Sequence, residues 1–418
     1  MKRLGPVHRL VQWVALGTLV GIAAGVASAA FLYLLDLATA TRQSHITLVY
    51  FLPVAGLALG YVFERWGKPI AGGNNLVIDS VHEDSPKIPL RMAPMVLFGT
   101  VVTHLFGGSA GREGAAVQMG AALADDISHR LHLSRAMRVQ LLAAGIAGGF
   151  GSVFGTPIAG TIFGLEVIAL GRIEYSALLP ALIAAVVGDA VTRGLGIKHA
   201  VFPTVESLPL TLVVFLKLAV LAIAVALLSR LFVEATHRIK AVSSRRIPSL
   251  PLRMAVGGIA VVVLWKLSGT SDFLGLGTDT IARAFTDASL PWSYPLVKLL
   301  FTAVTLGFGF LGGEVTPLFF IGATLGSVVG SALGLPIPLA AGIGMAAMFG
   351  SASNTPIALS VMAIELLGAA VLPHVVIVCV LAYLLTGHRS IYPSQKIGVG
   401  KYEHRTPTGP RLRDSGST

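Results

Sequence analysis

Five acidic side chains lie within or beside apolar stretches of this sequence, where an ionised carboxylate is costly unless it is paired or faces a polar cavity. They are Glu113, Glu166, Asp189, Glu314 and Glu365. Glu113 is distinguished by its flanking glycines and by the apolar stretch that follows it. A carboxylate in that setting can carry a proton, and it can also occupy a site that would otherwise bind an anion.

The segment Gly107–Ala116 predicts an anion site around Glu113. Glycines permit close backbone approach and unusual φ/ψ, and we expect a helix to begin just after Gly114. The free N–H groups and positive dipole end of that helix would bind an anion without any formal charge. Protonation of Glu113 would end its competition with that anion, so one residue could act as gate and proton carrier. A plain N-terminal helix cap is the alternative.

Two other glycine-led segments could contribute to the same site. Gly312–Pro317 opens an apolar helix, and its Glu314 and Thr316 could bond exposed N–H groups or a ligand. Capping of the helix is an equal alternative for these two. The other segment follows Gly72 and contains Asn74, whose amide supplies two N–H donors suited to a small anion. Taken alone, that segment is typical of a turn.

An enzymatic interpretation has little support in the sequence. Gly107, Ser109 and Gly111 have the spacing of a hydrolase nucleophile elbow, which requires a preceding strand and His and acid partners. The preceding stretch is typical of a membrane helix instead. The sequence contains no His-Glu-x-x-His motif. We therefore predict that the protein is not an enzyme and needs neither a cofactor nor a metal.

An internal repeat divides the chain. The segments Ala143–Ile146 and Thr156–Ala159 and the residue Glu166 recur in the same order as Ala340–Ile343, Thr355–Ala358 and Glu365. The copies lie about 200 residues apart, which predicts two related halves, 1–205 and 206–392. The shared position of the two glutamates favours a structural role, such as hydrogen bonding to a helix end. Chance similarity in Gly/Ala-rich sequence is the alternative.

The composition places most of the chain in a membrane. Hydrophobic residues make up 54% of the chain and charged residues 12%, against about 25% charged residues in soluble domains. Several apolar stretches are too short to cross a bilayer straight and have Gly or Pro at their ends. Such stretches are typical of broken helices that meet inside the membrane. We predict an all-α polytopic membrane protein with two inverted-topology repeats and broken helices.

The charge pattern predicts the orientation. The net charge is +11, and the basic residues cluster at both ends and in a stretch after residue 230. By the positive-inside rule we expect both termini to be cytoplasmic, in a multi-pass protein of the plasma (inner) membrane. Residues 393–418 are polar and basic and are predicted to form a disordered cytoplasmic tail. The basic residues flank apolar runs without interleaved aromatic residues, so we expect the lipid bilayer, and no nucleic acid, as partner.

These segments, in this order, resemble the CLC chloride channel and transporter family. Gly111-Arg112-Glu113-Gly114 is similar to the family's gating-glutamate motif, and Gly312–Pro317, with Val315, to its anion-site segment. Tyr392 resembles the tyrosine that closes the inner end of the site. The resemblance covers roughly residues 10–395. It implies a homodimer with one anion pathway in each subunit.

The departures from the pattern of chloride-selective members are more informative than the matches. Asn74 takes the place of a central serine, Val315 that of a phenylalanine, and Val167 that of an internal proton-carrying glutamate. With Glu314-Val315-Thr316-Pro317, the pattern is similar to the fluoride-exporting subfamily, which implies fluoride/proton antiport driven by the proton gradient. Fluoride dehydration needs compensating donors, and the Asn74 amide, the Thr316 hydroxyl and helix N-termini could supply them.

Without a glutamate at position 167, the proton route is expected to rely on Glu113. The hypothesis is that protonated Glu113 swings inward toward Glu314 and Thr316 and exchanges a proton for fluoride. A chloride channel or chloride/proton exchanger of the same family is the alternative. An intramembrane enzyme is a more remote alternative.

Overall fold

The computed structural model describes residues 6–83, 87–206 and 208–402, and these are mainly α-helical. The helices of the first half are α1 (Pro6–Ser44), α2 (Leu52–Trp66), α3 (Asn74–His82), α4 (Met92–Leu105), α5 (Glu113–Arg130), α6 (Arg135–Phe154), α7 (Pro157–Glu166) and α8 (Leu178–Gly194). Those of the second half are α9 (Leu212–Arg246), α10 (Leu250–Ser268), α11 (Thr278–Arg283), α12 (Tyr294–Gly307), α13 (Val315–Leu333), α14 (Ile337–Ser353), α15 (Pro356–Leu367) and α16 (Leu372–Thr386). Two short strands, β1 (Ala169–Leu170) and β2 (Lys396–Ile397), pair in parallel.

The helices are those of a multi-pass membrane protein. Among the described residues, eight helical segments are long and apolar enough to cross a membrane, by length and composition. Helix α1 has 39 residues, about twice the ~20 needed to span the hydrocarbon core. It must therefore tilt or extend beyond the bilayer. Helices α4, α12, α14 and α15 are shorter apolar helices, which agrees with the predicted broken-helix architecture.

The two halves repeat the same order of elements. Helix α5 packs along α6 as α13 packs along α14, and across the halves α7 packs on α15 and α2 on α10. The repeated Ala-Ala-Gly-Ile segments lie in α6 and α14, but not at equivalent places: Gly344, rather than Gly342, packs as Gly145 does. Thr156 and Thr355 each directly precede a helix that opens with proline. The predicted fold class is confirmed, and the predicted division at 205/206 falls in the connection between α8 and α9.

Glycines bring the paired helices of each half into close contact. A Cβ built on Gly145 would lie 2.5 Å from the Gly120 carbonyl oxygen, and one on Gly344 would lie 2.3 Å from that of Gly322. Real side chains cannot approach a backbone oxygen so closely. Helices α5 and α13 are thereby held deep in the protein, and their N-termini point toward its interior.

The structure corrects two sequence-based expectations. Helix α3 was not among the predicted apolar elements, because its nine residues include Asp79, Ser80 and His82. The predicted disordered tail begins too early, since residues 393–402 pack against the protein through β2 and side-chain hydrogen bonds. Polar composition predicted disorder there, but the polar groups of this segment find partners on the folded helices. Residues 403–418 lie outside the described residues.

Candidate anion site

The loops that precede α5 and α13 meet at the centre of the protein. Gly111 and Gly313 exchange both backbone hydrogen bonds, with N···O distances of 2.6 and 2.8 Å. A Cβ on Gly111 would lie 2.9 Å from the Thr316 nitrogen, and one on Gly114 would lie 2.9 Å from Asn74 Nδ2. Glycine is required at both positions because two helix N-termini and an amide side chain converge there. The predicted start of α5, just after Gly114, is late, since the helix already begins at Glu113.

The Glu113 carboxyl group binds the N-terminus of the opposite helix. Its Oε2 accepts from the Thr316 backbone N–H at 3.0 Å and from the Arg112 N–H at 3.2 Å. The Thr316 hydroxyl lies 2.7 Å from Oε1 and 2.6 Å from Oε2. The side chain is 1% exposed. Glu113 therefore caps α13 rather than its own helix, so the plain-cap alternative does not describe it.

The contacts of Glu113 suit either protonation state. The Thr316 hydroxyl has one proton to donate but lies within bonding distance of two carboxyl oxygens. It can donate to a carboxylate, or accept from a carboxylic acid, without any change of position. The Arg112 Nε lies 3.5 Å from Oε1 and makes no hydrogen bond. The negative charge is thus balanced by a helix N-terminus, as at an anion site, and by the nearby Arg112.

Asn74 and Glu314 lie beside this carboxyl site. Both are near Gly114, and each has a buried side-chain oxygen without a hydrogen-bond partner, Asn74 Oδ1 and Glu314 Oε2. Glu314 is the N-cap residue of α13, but its side chain makes no capping hydrogen bond. Both residues line a cavity of about 500 Å³. Val315, 1% exposed, is buried between Glu314 and Thr316. Unpartnered buried polar atoms at the end of a cavity are available to a ligand or to water.

Tyr392 lies at the edge of this site, where several cavities meet. It is 4% exposed and borders three cavities, of about 500, 670 and 10 Å³. The smallest is a void that Asn74 and Val167 also line. Tyr392 therefore borders both the small void and the two larger cavities, and its role at the inner end of a pathway stays a prediction. The structure thus brings together all the predicted site residues: Glu113, Asn74, Thr316, Tyr392, Glu314, Gly111, Gly114 and Val315.

The other three carboxylates singled out in the sequence have structural partners. Glu166 accepts hydrogen bonds from the Ile357 and Ala358 N–H groups at 3.2 and 2.8 Å, which caps α15. Glu365 accepts from Ile158 and Ala159 at 3.0 and 2.7 Å, which caps α7. The predicted role of these glutamates at helix ends is confirmed, and it is reciprocal between the halves. Asp189 pairs with Arg193 and His199 near the end of α8.

Sequence reasoning missed the residues that hold the loop before Glu113. The Ser109 hydroxyl lies 3.0 Å from that of Thr302, and its N–H donates to Thr305 at 3.1 Å. His104 Nε2 lies 2.9 Å from the Ala110 oxygen. Helix α4 occupies the place where a nucleophile elbow would need a strand, and Ser109 binds threonine rather than histidine. Single Ser, Thr and His residues within apolar helices give no spacing signal that could have identified these contacts.

The fold and site define a class: multi-pass membrane proteins in which two helix N-termini meet around a buried carboxyl group. The chain belongs to the voltage-gated chloride channel family, whose family model matches residues 55–387. The chain is 46% identical to a chloride/fluoride channel protein of Pseudomonas syringae pv. tomato. The alignment covers 97% of this chain and 91% of that protein.

Solved structures agree with this assignment. A crystal structure of a CLC-type fluoride/proton antiporter matches 94% of this chain and 100% of its own, at 39% identity and a TM-score of 0.91. A slow cyanobacterial Cl⁻/H⁺ antiporter matches 92% of this chain and 95% of its own at 17% identity and a TM-score of 0.80, which shows the shared fold alone.

Proposed function

We propose that this protein is a fluoride/proton antiporter that exports fluoride by using the proton gradient, with Glu113 as gate and proton carrier. The observation that carries the proposal is the Glu113 carboxyl group, bound to the hydroxyl and N–H of Thr316 at an anion-type site. The fluoride/proton antiporter and the chloride/fluoride channel protein similar to this chain support the choice of ion.

The exchange cycle follows from that geometry. Ionised Glu113 occupies the N-terminus of α13 and excludes an anion. Protonation removes the charge that holds it there, so fluoride can take the same N–H and hydroxyl donors while Glu113 carries its proton. This reverses the direction of the hypothesis that protonated Glu113 swings inward toward Glu314 and Thr316. Glu113 already bonds to Thr316, so the protonated group would leave this position and fluoride would take its place.

Valine at position 167 supports this use of a single carboxylate. Val167 is 3% exposed and lines the void beside Asn74 and Tyr392. Its side chain has no proton to transfer, whereas Glu166 next to it is engaged with the α15 N-terminus. Among these residues, Glu113 is the carboxyl group at the anion site that can be exchanged for the ion itself.

The test is fluoride efflux from liposomes with proton uptake recorded in parallel. The wild type should export fluoride and take up protons in a constant ratio, and chloride-loaded vesicles should release far less anion. Glu113→Gln keeps the shape but cannot ionise, so proton movement should stop. A Glu113→Gln variant with an unchanged fluoride/proton ratio would contradict the assignment. Equal chloride efflux by the wild type would favour the chloride alternative.

We further propose a homodimer in the plasma (inner) membrane with cytoplasmic termini. The orientation can be tested because Cys379, the only cysteine, is fully buried. A Ser244→Cys variant places one exposed thiol in the basic stretch at the end of α9. An impermeant thiol reagent should label it in inverted vesicles and not in intact cells. Subunit counting by photobleaching in liposomes should show two steps, whereas single steps would exclude the dimer.

A further inference from the structure

The backbone around Tyr392 is fixed by a tight turn. The Gln395 N–H donates to the Tyr392 oxygen at 3.1 Å, which closes a four-residue turn with Pro393 in the second position. Proline is favoured there because its φ is already set. The Tyr392 N–H donates to the Ser390 hydroxyl at 3.0 Å. The position of the Tyr392 ring therefore depends on what holds this turn.

The Gln395 side chain ties the turn to both halves of the protein. Its Nε2 donates to the Val167 oxygen at the end of α7 and to the Ser353 oxygen at the end of α14, each at 2.8 Å. Its Oε1 accepts from Asn354 Nδ2 at 3.1 Å and from the Ser390 hydroxyl at 2.7 Å. An amide has two N–H groups and two acceptor positions, and here all four are used.

A second tie joins the turn to the anion site. The Ser394 N–H donates to Asn75 Oδ1 at 3.1 Å. Asn75 is the residue after Asn74, so this bond links the turn to the first residues of α3. The Ile391 N–H also donates to the Ala352 oxygen at 2.9 Å. Asn74, Val167 and Tyr392 thus line the small void from three segments of the chain that Gln395 and Asn75 connect.

We propose that Gln395 is a positioning residue that holds Tyr392 as a barrier at the inner end of the pathway, and that tight coupling of fluoride to protons depends on it. This inference rests on the proposed function. If the turn loosened, Tyr392 would no longer be held where the small void and the two large cavities meet. Fluoride could then pass while Glu113 remained in place, and flux would no longer require a proton.

The experiment compares Gln395→Ala with the wild type in the liposome assay. Fluoride flux without proton movement should rise about tenfold, the change expected for the loss of one or two net hydrogen bonds. Gln395→Glu should give a smaller increase, since its carboxylate still accepts from Asn354 and Ser390 but cannot donate to Val167 and Ser353. The ratio of fluoride to protons is the readout, because it does not depend on how much protein folds.

Controls separate positioning from general damage. Gln43→Ala loses a 3.4 Å bond to Asp279 beside a different cavity and should keep the wild-type ratio. If Gln395 acts through Tyr392, the double variant Gln395→Ala/Tyr392→Ala should leak no more than Tyr392→Ala alone. Additive leaks, or a wild-type ratio in Gln395→Ala, would overturn the inference.

Two further outcomes test the inference and the proposed function separately. Should Gln395→Ala not yield folded protein, Asn75→Ala removes the second tie, and a wild-type ratio in that variant would equally overturn the inference. A wild type without any proton coupling would refute the proposed function itself.

Discussion

The Thr316 hydroxyl has one proton and two carboxyl oxygens of Glu113 within reach. In the part of the chain that the structure describes, Thr316 is the only side chain that hydrogen-bonds to the Glu113 carboxyl group, which also lies 3.5 Å from Arg112 Nε. Because it can donate or accept, it stabilises that group in both protonation states. This property distinguishes it from the backbone N–H of the same residue, which can only donate.

We call Glu113 docked when its carboxyl group is bonded to Thr316, and we predict that Thr316→Val weakens this docked state. Hydrogen bonds to charged groups contribute about 1.5–3 kcal/mol, so the docked population should fall roughly tenfold to a hundredfold. Fluoride/proton exchange in liposomes should slow and lose coupling. Thr316→Ser keeps the hydroxyl and is the matched control. Equal exchange rates for the Val and Ser variants would show that the hydroxyl has no role.

At the scale of elements, the reciprocal caps join the two halves. Helices α7 and α15 begin with a proline, and each offers free N–H groups to a glutamate at the end of the other helix. The bonds of Glu166 mirror those of Glu365 to within 0.2 Å, at 3.2 and 2.8 Å against 3.0 and 2.7 Å. The pair therefore fixes how the two helices pack.

We predict that Glu365→Gln destabilises the protein without loss of coupling. One of the two acceptor oxygens becomes an amide that faces an N–H group, which should cost about 1–2 kcal/mol. Thermal unfolding in detergent should show a lower midpoint. Glu64→Gln, at an exposed position of α2, is the control. An unchanged midpoint for Glu365→Gln would contradict the capping role.

The glycine contacts between α13 and α14 give a second prediction at this scale. Gly344→Ala places a Cβ 2.3 Å from the Gly322 oxygen, so the helices must separate. Overpacking of this kind costs about 1–3 kcal/mol, and the thermal midpoint should fall. Gly194→Ala, in α8 with no atom within 4 Å of the added Cβ, should leave it unchanged or raise it. The contact is unimportant if both variants behave alike.

At the scale of the whole molecule, the cavity that ends at Asn74 and Glu314 has a basic wall. Lys240, His237 and Arg253 line it, and Lys240 has no ion-pair partner among the described residues. The two cations Lys240 and Arg253 exceed the single carboxyl group of Glu314 in the same wall, and a cleft with an excess of one sign of charge concentrates counter-ions and speeds their entry. The cavity is therefore suited to collect anions before they reach the carboxyl site.

We predict that Lys240→Gln slows fluoride efflux a few-fold at low ionic strength. The difference should shrink when an impermeant salt raises the ionic strength, because the Debye length falls to about 8 Å near 0.15 M. Initial rates measured across a salt series test this. Lys266→Gln, beside Trp265 and Tyr50, removes a lysine outside the cavity and should have no effect. A salt-independent defect in Lys240→Gln would argue against electrostatic attraction.

Particular residues show how much of the fold and of the candidate site could be predicted from the sequence. The glycines around Glu113 and the repeat around Glu166 and Glu365 predicted a helix N-terminus and a pair of helix-end bonds, because those features depend on local spacing. Helix α3 and the ordered segment 393–402 were not predicted. Both are polar, and their stability comes from contacts with residues far away in the sequence.

The sequence alone determined that this is a membrane protein with two related halves, and that Glu113 is a candidate functional carboxylate. A chain with so few charged and so many apolar residues requires a lipid bilayer as its solvent. A carboxylate without a partner would be too costly inside that bilayer. Only the tertiary structure decided that Glu113 binds Thr316, that Glu166 and Glu365 exchange caps, and that Gln395 holds the turn at Tyr392. Those contacts join residues up to 228 positions apart, and only the packing of helices brings such residues within hydrogen-bond distance.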